Sequence, residues 1–140
     1  MALEIERRFL IKNDNWKEFI TKKTFIEQGY LSNRLDDWII RIRFSDKDFK
    51  IALKKHIKKF TNFEFEYIIP KSDGEKIMSN LTNKIKKERF FLEVEKKSWI
   101  VDCFKEKNYP LEIAEIELSR EEEDLSLPSF ISKEITGLTH

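Results

Sequence analysis

The sequence predicts a mainly β, α+β fold in which eight antiparallel strands close into a barrel, with a few helices packed outside. Eight segments alternate apolar and polar side chains with a period of two, as strands do. Helical spacing occurs in only three short segments. The polar faces carry pairs of like charges, which indicates that they surround a ligand rather than bulk water.

The alternating segments follow one another with short connections. In the first of them, apolar Leu3 and Ile5 alternate with acidic Glu4 and Glu6. The predicted strands are residues 3–9, 25–32, 38–44, 50–54, 63–69, 87–95, 99–102 and 114–118. Segments 45–49 and 95–98 are short enough for hairpin turns.

Three segments have helical signals. The predicted helices are residues 14–22, 72–82 and 128–134. The second opens with Ser72 and has Glu75 three positions later, which is a capping-box pattern. The third opens with Pro128, a residue favoured in the first turn of a helix. These helices are expected to cover the apolar outside of the barrel.

Composition favours one globular domain over residues 1–140. Hydrophobic residues make up 40% and charged residues 38% of the chain, and its twelve Phe and three Trp argue against disorder. The formal net charge of +1 gives no global attraction to nucleic acid or an anionic membrane. The basic run at 54–59 is most simply a solvated loop, so we expect neither partner.

The location is expected to be the cytoplasm. The single cysteine, Cys103, cannot form an internal disulfide, which fits a reducing compartment. No apolar run approaches the roughly 18 residues of a membrane span, and the N-terminal segment lacks the pattern of a signal peptide. A homodimer is an open alternative to a monomer.

Like charges two residues apart recur on five of the predicted strands. The pairs are Glu4/Glu6, Arg41/Arg43, Glu64/Glu66, Lys87/Arg89 and Glu115/Glu117. A solvated surface usually mixes signs, and like-charge clusters cost Coulomb energy unless a ligand of opposite sign offsets it. Since the Phe- and Trp-rich faces need cover, we expect the charged faces to point inward.

An eight-stranded barrel leaves room inside for one small ligand. Carboxylate pairs there would attract hard divalent cations, and guanidinium and ammonium groups would bind phosphate oxygens. A metal-bound polyphosphate satisfies both kinds of group.

Several of these segments also carry family motifs. Residues 4–10 (EIERRFL) resemble the Glu-x-Glu-x-Lys signature of CYTH domains, the triphosphate tunnel metalloenzymes. The resemblance continues through Gln28–Leu31, Arg41–Arg43, Ile51–Lys54, Glu64–Pro70, Lys87–Phe90, Trp99–Asp102, Leu111–Leu118 and Lys133–Thr136. It covers nearly the whole chain and implies an eight-stranded tunnel that binds a triphosphate with Mg²⁺ or Mn²⁺.

The resemblance implies a role for each motif residue. Glu4, Glu6 and Glu117 would ligate a metal ion, with Glu115 close by. Glu64, Glu66 and Asp102 would place a second metal or the attacking water. Phosphate-binding residues would be Arg8, Arg41, Arg43, Lys54, Lys87 and Arg89, joined by Lys133 from a basic–acidic pair with Glu134. The implied activity is metal-dependent hydrolysis of a triphosphate, with inorganic triphosphate favoured over thiamine or nucleoside triphosphates.

Two departures from the motifs keep alternatives open. The signature lysine is Arg8, a bulkier cation that grips bidentately, and Asn62 stands where relatives often have an Arg. A polyphosphate- or nucleotide-binding module without catalysis is therefore one alternative. A class IV adenylate cyclase that makes cyclic AMP from ATP is another, although no base pocket is evident.

Overall fold

Nine strands make up most of the chain between residues 2 and 137, the part that the computed structural model describes. The strands are β1 Leu3–Ile11, β2 Ile20–Leu35, β3 Trp38–Ser45, β4 Asp48–Lys58, β5 Thr61–Ile69, β6 Lys84–Val94, β7 Lys97–Phe104, β8 Glu112–Glu117 and β9 Ile131–Glu134. The helix is α1 Lys71–Ser79, and Asp14–Phe19 and Glu106–Asn108 form 3-10 turns.

Pairing between β1 and β5 closes the sheet. The strand order is β1–β8–β7–β6–β2–β3–β4–β5, all antiparallel, and Leu3 of β1 pairs back with Phe63 of β5. β9 adds to the other half of β1, where Phe9 pairs with Glu134. The predicted closed barrel of eight antiparallel strands is confirmed, with β9 as one extra strand.

Three hairpins share a two-residue turn in the left-handed region of backbone space. The turn residues are Asp36–Asp37, Asp46–Lys47 and Glu95–Lys96, with φ between 50° and 73° at all six positions. Positive φ at both central residues defines the type I′ turn, whose twist matches that of antiparallel strands. The two hairpins predicted at 45–49 and 95–98 are confirmed.

The main apolar core lies outside the barrel. Outward side chains of β1, β6, β7 and β8 pack beneath the first 3-10 helix and the segment that leads into β9. Trp16, only 1% exposed, lies 5.3 Å from the ring of Phe90, and Phe9 lies 5.9 Å from Trp99. The aromatic faces are therefore covered from outside, which leaves the charged faces to line the lumen.

Helix α1 covers a second, smaller apolar cluster. Met78 packs with Ile42 and Phe49 on the outer face of β3 and β4. Gly74 allows this close approach, because a Cβ there would lie 2.2 Å from the Phe49 ring. No helix in the described part of the chain is long and apolar enough to cross a membrane.

Two helix predictions need correction in extent. Residues 14–19 form only a 3-10 helix, and from Ile20 the chain enters β2, where Ile20 pairs with Leu92. The predicted helix at 72–82 is α1, but the predicted capping box is wrong. Pro70 occupies the N-cap without a side-chain hydrogen bond, so Ser72 already lies inside the helix.

The predicted helix at 128–134 is wrong. The amide of Ile131 donates to the carbonyl of Pro128 at 3.1 Å, which makes a turn, and the chain then forms β9. The chain forms a strand rather than a helix here because pairing with β1 buries Ile131 in the main core, where this residue is 5% exposed.

A charged clasp on the outer surface fastens β9 to β1. The Arg7 guanidinium donates to both carboxylate oxygens of Glu134, at 2.9 and 2.6 Å. Thr136 Oγ1 also donates to Glu134, at 2.6 Å, and the Arg8 amide donates to Thr136 Oγ1. Arg7 lies 4.9 Å from the centre of the Phe60 ring, so the clasp is packed as well as charged.

We predict that Glu134→Gln destabilises the protein by about 1–2 kcal/mol at neutral pH, because it removes a charge-assisted bidentate pair. Hydrogen bonding to Arg7 lowers the pKa of Glu134 below the ordinary 4.5. The stabilisation is therefore complete above pH 4.5 and is lost as pH falls through the folded-state pKa. Urea unfolding of wild type and variant across pH measures this difference.

Glu122→Gln is the matched control, since its ion pair with Arg120 is long at 3.8 Å and both side chains are mostly exposed. A Glu134→Gln loss no larger than the control's, or one that persists at acid pH, contradicts the role of the clasp.

Candidate active site

Side chains from all eight barrel strands meet in the lumen. Cross-strand pairing places Arg8 opposite Glu115, Glu6 opposite Glu117 and Lys54 opposite Glu64. The inward set also contains Glu4, Gln28, Arg41, Arg43, Glu66, Lys87, Arg89 and Asp102. Period-two alternation thus brings together the residues of the five like-charge pairs.

The acidic end of the lumen is built on β1. Lys54 Nζ lies 2.6 Å from a Glu4 oxygen and 3.6 Å from a Glu6 oxygen. Burial and the neighbouring charge of Glu115 raise the pKa of Glu6. Burial likewise raises the pKa of Glu117, with further contributions from Glu4 and Glu115. Burial is the largest cause of the raised pKa at both residues, repulsion from neighbouring carboxylates adds to it, and the charge of Lys54 opposes it.

A divalent cation fits the chemistry of this acidic end. Among residues 2–137, no three His, Cys, Asp or Glu side chains stand ready-made around a metal position. The carboxylates of Glu4, Glu6 and Glu115 nevertheless supply oxygen donors, which hard cations prefer. Burial raises the pKa of Glu4 and of Glu6, so a cation there would offset negative charge that is costly to bury. At Glu115, burial is outweighed by the charges of Arg89, Lys87 and Lys54, which lower its pKa.

The basic end is organised by one buried carboxylate. Asp102 accepts hydrogen bonds from Arg89 Nε and Nη2 at 2.8 and 2.9 Å, and Lys87 Nζ lies 2.7 Å away. Burial alone would raise the pKa of Asp102, but the hydrogen bonds from Arg89 and the charge of Lys87 outweigh it and lower it. Both oxygens of Asp102 therefore contact cations.

Arg41 and Arg43 lie on β3 between the two ends. Arg41 is 7% exposed, and its Nη2 lies 3.6 Å from Glu64 and 3.5 Å from Glu66. Its Nε is buried without a hydrogen-bond partner in the part of the chain described. Burial, together with the charges of Arg41 and Arg89, lowers the pKa of Arg43 to about 10. The Arg43 guanidinium therefore stays positive at neutral pH.

The lumen opens to one side through a charged mouth. A cavity of about 230 Å³ is lined by Thr24, Ile26, Arg43, Ser45, Asp46, Lys50, Glu66, Arg89 and Phe91. The sequence motifs do not include Lys50, although its side chain lies on the same face of β4 as that of Lys54. A larger cavity of about 280 Å³ lies on the outer surface beside Trp16 and Tyr109, away from the charged lumen.

Three motif positions lie apart from this cluster or contribute differently. Lys133 is exposed on β9, and its side chain forms no hydrogen bond or ion pair with another described residue. Its predicted partner Glu134 is held on the outer surface by Arg7. Asn62 donates to a Glu4 oxygen at 3.4 Å, so this position supplies a neutral contact to the acidic end.

We predict that Asp102→Asn costs about 3–5 kcal/mol of stability, because it leaves Lys87 and Arg89 as uncompensated buried cations. Sulfate should restore part of this stability by replacing the lost negative charge. Urea unfolding with and without sulfate tests both effects. Exposed Asp48→Asn is the control, and an Asp102→Asn loss equal to the control's would overturn the assignment.

No protein-family model matches the chain. The inorganic triphosphatase of Acetivibrio thermocellus is 34% identical over 140 residues, which span 98% of this chain and 88% of that protein.

Solved structures share the fold. The inorganic triphosphatase NE1496 superposes with a TM-score of 0.68 at 23% identity, covering 96% of this chain and 90% of that one. HpAC1 from Hippeastrum, whose structure is described with a dominant triphosphatase activity, gives 0.62 at 14% identity, covering 86% and 80%. With a relative above 30% identity over nearly its full length, and a charged lumen inside a closed eight-stranded barrel, the chain belongs to the inorganic triphosphatases of the triphosphate tunnel (CYTH) family.

Proposed function

We propose that this protein hydrolyses a triphosphate, with inorganic triphosphate as the favoured substrate, inside the lumen of the barrel. The observation that carries the proposal is the division of one lumen into an acidic end and a basic end. The A. thermocellus relative, an inorganic triphosphatase, supports the same activity.

Phosphate binding falls to the cations of β3 and β6. Arg41, Arg43, Lys87 and Arg89 come from strands on either side of β2, so they surround the lumen rather than forming one flat patch. The orphaned Nε of Arg41 supports this role, since a phosphate oxygen would satisfy it. Arg8 and Lys54 extend the set toward the acidic end.

The acidic residues would hold Mg²⁺ or Mn²⁺ through Glu4, Glu6, Glu115 and Glu117. A bound divalent ion supplies charge neutralisation for phosphate oxygens. Lys54, which now offsets Glu4 and Glu6, would then be released toward the phosphates.

Water activation is assigned to β5. Glu64 and Glu66 flank the Arg41 guanidinium, and Glu66 lines the open mouth, where water enters. A Glu66 oxygen would accept the proton of the attacking water, while Arg41 holds the phosphate in line. Asp102 keeps Lys87 and Arg89 aimed and charged, which stabilises the charge that develops on the phosphates.

The mouth favours a small leaving group. Of the nine residues that line it, only Ile26 and Phe91 are wholly apolar, so no aromatic pair brackets a base or a thiamine ring. This is why inorganic triphosphate is favoured over nucleoside and thiamine triphosphates.

A triphosphate-binding module without hydrolysis is a second candidate. Lys54 already compensates Glu4 at 2.6 Å, and Arg8 and Asn62 depart from the family signature. Metal-free binding without phosphate release would characterise such a module.

The cellular setting is also a proposal. A lone, half-buried Cys103 agrees with the cytoplasm.

A homodimer would use the uncovered outer face of β5, where Phe63 is 37% and Tyr67 57% exposed.

The function is tested by phosphate release from inorganic, thiamine and nucleoside triphosphates with Mg²⁺ or Mn²⁺. We expect rapid release from inorganic triphosphate, slower release from the others, and none in EDTA. Equal, metal-independent background rates for all substrates would refute the proposed triphosphatase activity.

We predict that Glu6→Gln lowers kcat at least 100-fold, because one oxygen-donor charge at the metal end is lost. The melting temperature of the variant in metal-free buffer should be unchanged or higher, since the change relieves repulsion from Glu115. Kinetics and thermal unfolding of one preparation report both.

Exposed Glu75→Gln on α1 is the matched control for this variant. Turnover of Glu6→Gln at the wild-type rate would remove Glu6 from the site.

A further inference from the structure

Gln28 is a buried amide in the lumen wall that the proposed reaction leaves without a role. It lies in the middle of β2, between β3 and β6, and is only 2% exposed. Burying an amide costs free energy unless its hydrogen bonds are made, so its partners define what it does.

Its partners fix its orientation completely. Arg43 donates from Nε and Nη2 to Gln28 Oε1, at 3.0 and 2.8 Å. Because a guanidinium can only donate, the oxygen of the amide must face Arg43. The amide nitrogen then donates to the Tyr30 hydroxyl at 3.0 Å. Gln28 therefore holds one edge of the Arg43 guanidinium in a fixed plane.

The charge of Arg43 differs from that of the other cations in the lumen in how it is paired. Arg89 and Lys87 are paired with Asp102, Lys54 with Glu4, and Arg41 with two glutamates at longer range. Within residues 2–137, Arg43 has no carboxylate at ion-pair distance and is held by a neutral amide instead. Asp102 and Glu115 act on its charge only from beyond ion-pair distance, so the charge is not neutralised by direct contact although the orientation of the group is fixed.

An anion site requires a cationic side chain whose orientation is fixed and whose charge is not neutralised. Two N–H groups of Arg43 are used by Gln28, which leaves three of the five that a guanidinium carries. Arg43 also lines the mouth cavity, beside Lys50 and Arg89.

We propose that Gln28 is a positioning residue, which aims the Arg43 guanidinium at the triphosphate while leaving its positive charge available to bind it. The inference rests on the proposed function, because it names how one of that site's cations is prepared.

The test compares Gln28→Met, Arg43→Met, the double variant and Gln28→Glu with wild type. Tripolyphosphate is the probe, and both its Kd in metal-free buffer, by calorimetry, and KM and kcat with Mg²⁺ are measured. Gln28→Met keeps size but removes the acceptor. Gln28→Glu keeps the acceptor but neutralises Arg43, and it remains informative if the methionine variant does not fold. Thr21→Val, on the exposed start of β2, is the control.

We expect both single Gln28 variants to raise Kd and KM about 10-fold, with kcat within about threefold of wild type. In the Arg43→Met background, Gln28→Met should add almost nothing, because its effect acts through Arg43. Wild-type affinity in either Gln28 variant, or full additivity in the double variant, would overturn the proposal.

The two proposals fail separately. If wild type releases phosphate but Gln28 variants bind normally, only the role of Gln28 is lost. If wild type binds tripolyphosphate without releasing phosphate and the Gln28 variants bind it more weakly, only hydrolysis is lost. Absence of binding by wild type would overturn both.

Discussion

The pairing of β1 with β5 is the constraint on which the site depends. β1 carries Glu4, Glu6 and Arg8 on one face, and it reaches β8 on one side and β5 on the other. Without the short ladder that begins at Leu3 and Phe63, β5 would be a free edge and β4 would no longer bring Lys54 to Glu4. Closure brings the five like-charge pairs together around one lumen, although Glu66 and Glu117 remain exposed to solvent.

This barrel places its stability and its chemistry on opposite faces of the same strands. The apolar faces pack outward, beneath the first 3-10 helix, α1 and the segment before β9. Charged faces gain little from burial, since desolvation of each ion must be offset by its partners. Asp102 supplies that offset at the basic end, whereas the acidic end stays under-compensated. The lumen is therefore poised for ligands of both signs.

Sequence alternation predicted the strands and the inward set because a period of two needs only local information. The main failure, at residues 128–134, had a long-range cause. Pro128 looked like a helix start, but the pairing of Ile131 with Ile11 across the chain decided the outcome. Likewise, Gln28 could be assigned to a face, yet its bond to Arg43 depends on the register of β2 against β3, which bulges set. No periodicity encodes that register.

One of the two departures from the family signature, Asn62, acts on the acidic end in a way that the alternation could not reveal. Asn62 contacts Glu4 as a neutral donor, so the cation that relatives often have at that position is missing beside the carboxylates. In the part of the chain described, Lys54 is the cation that pairs with Glu4 and Glu6. Fewer fixed cations leave more of the carboxylate charge to be met by a bound divalent ion. Under the proposed function, Asn62 thus leaves a bound divalent ion more carboxylate charge to offset.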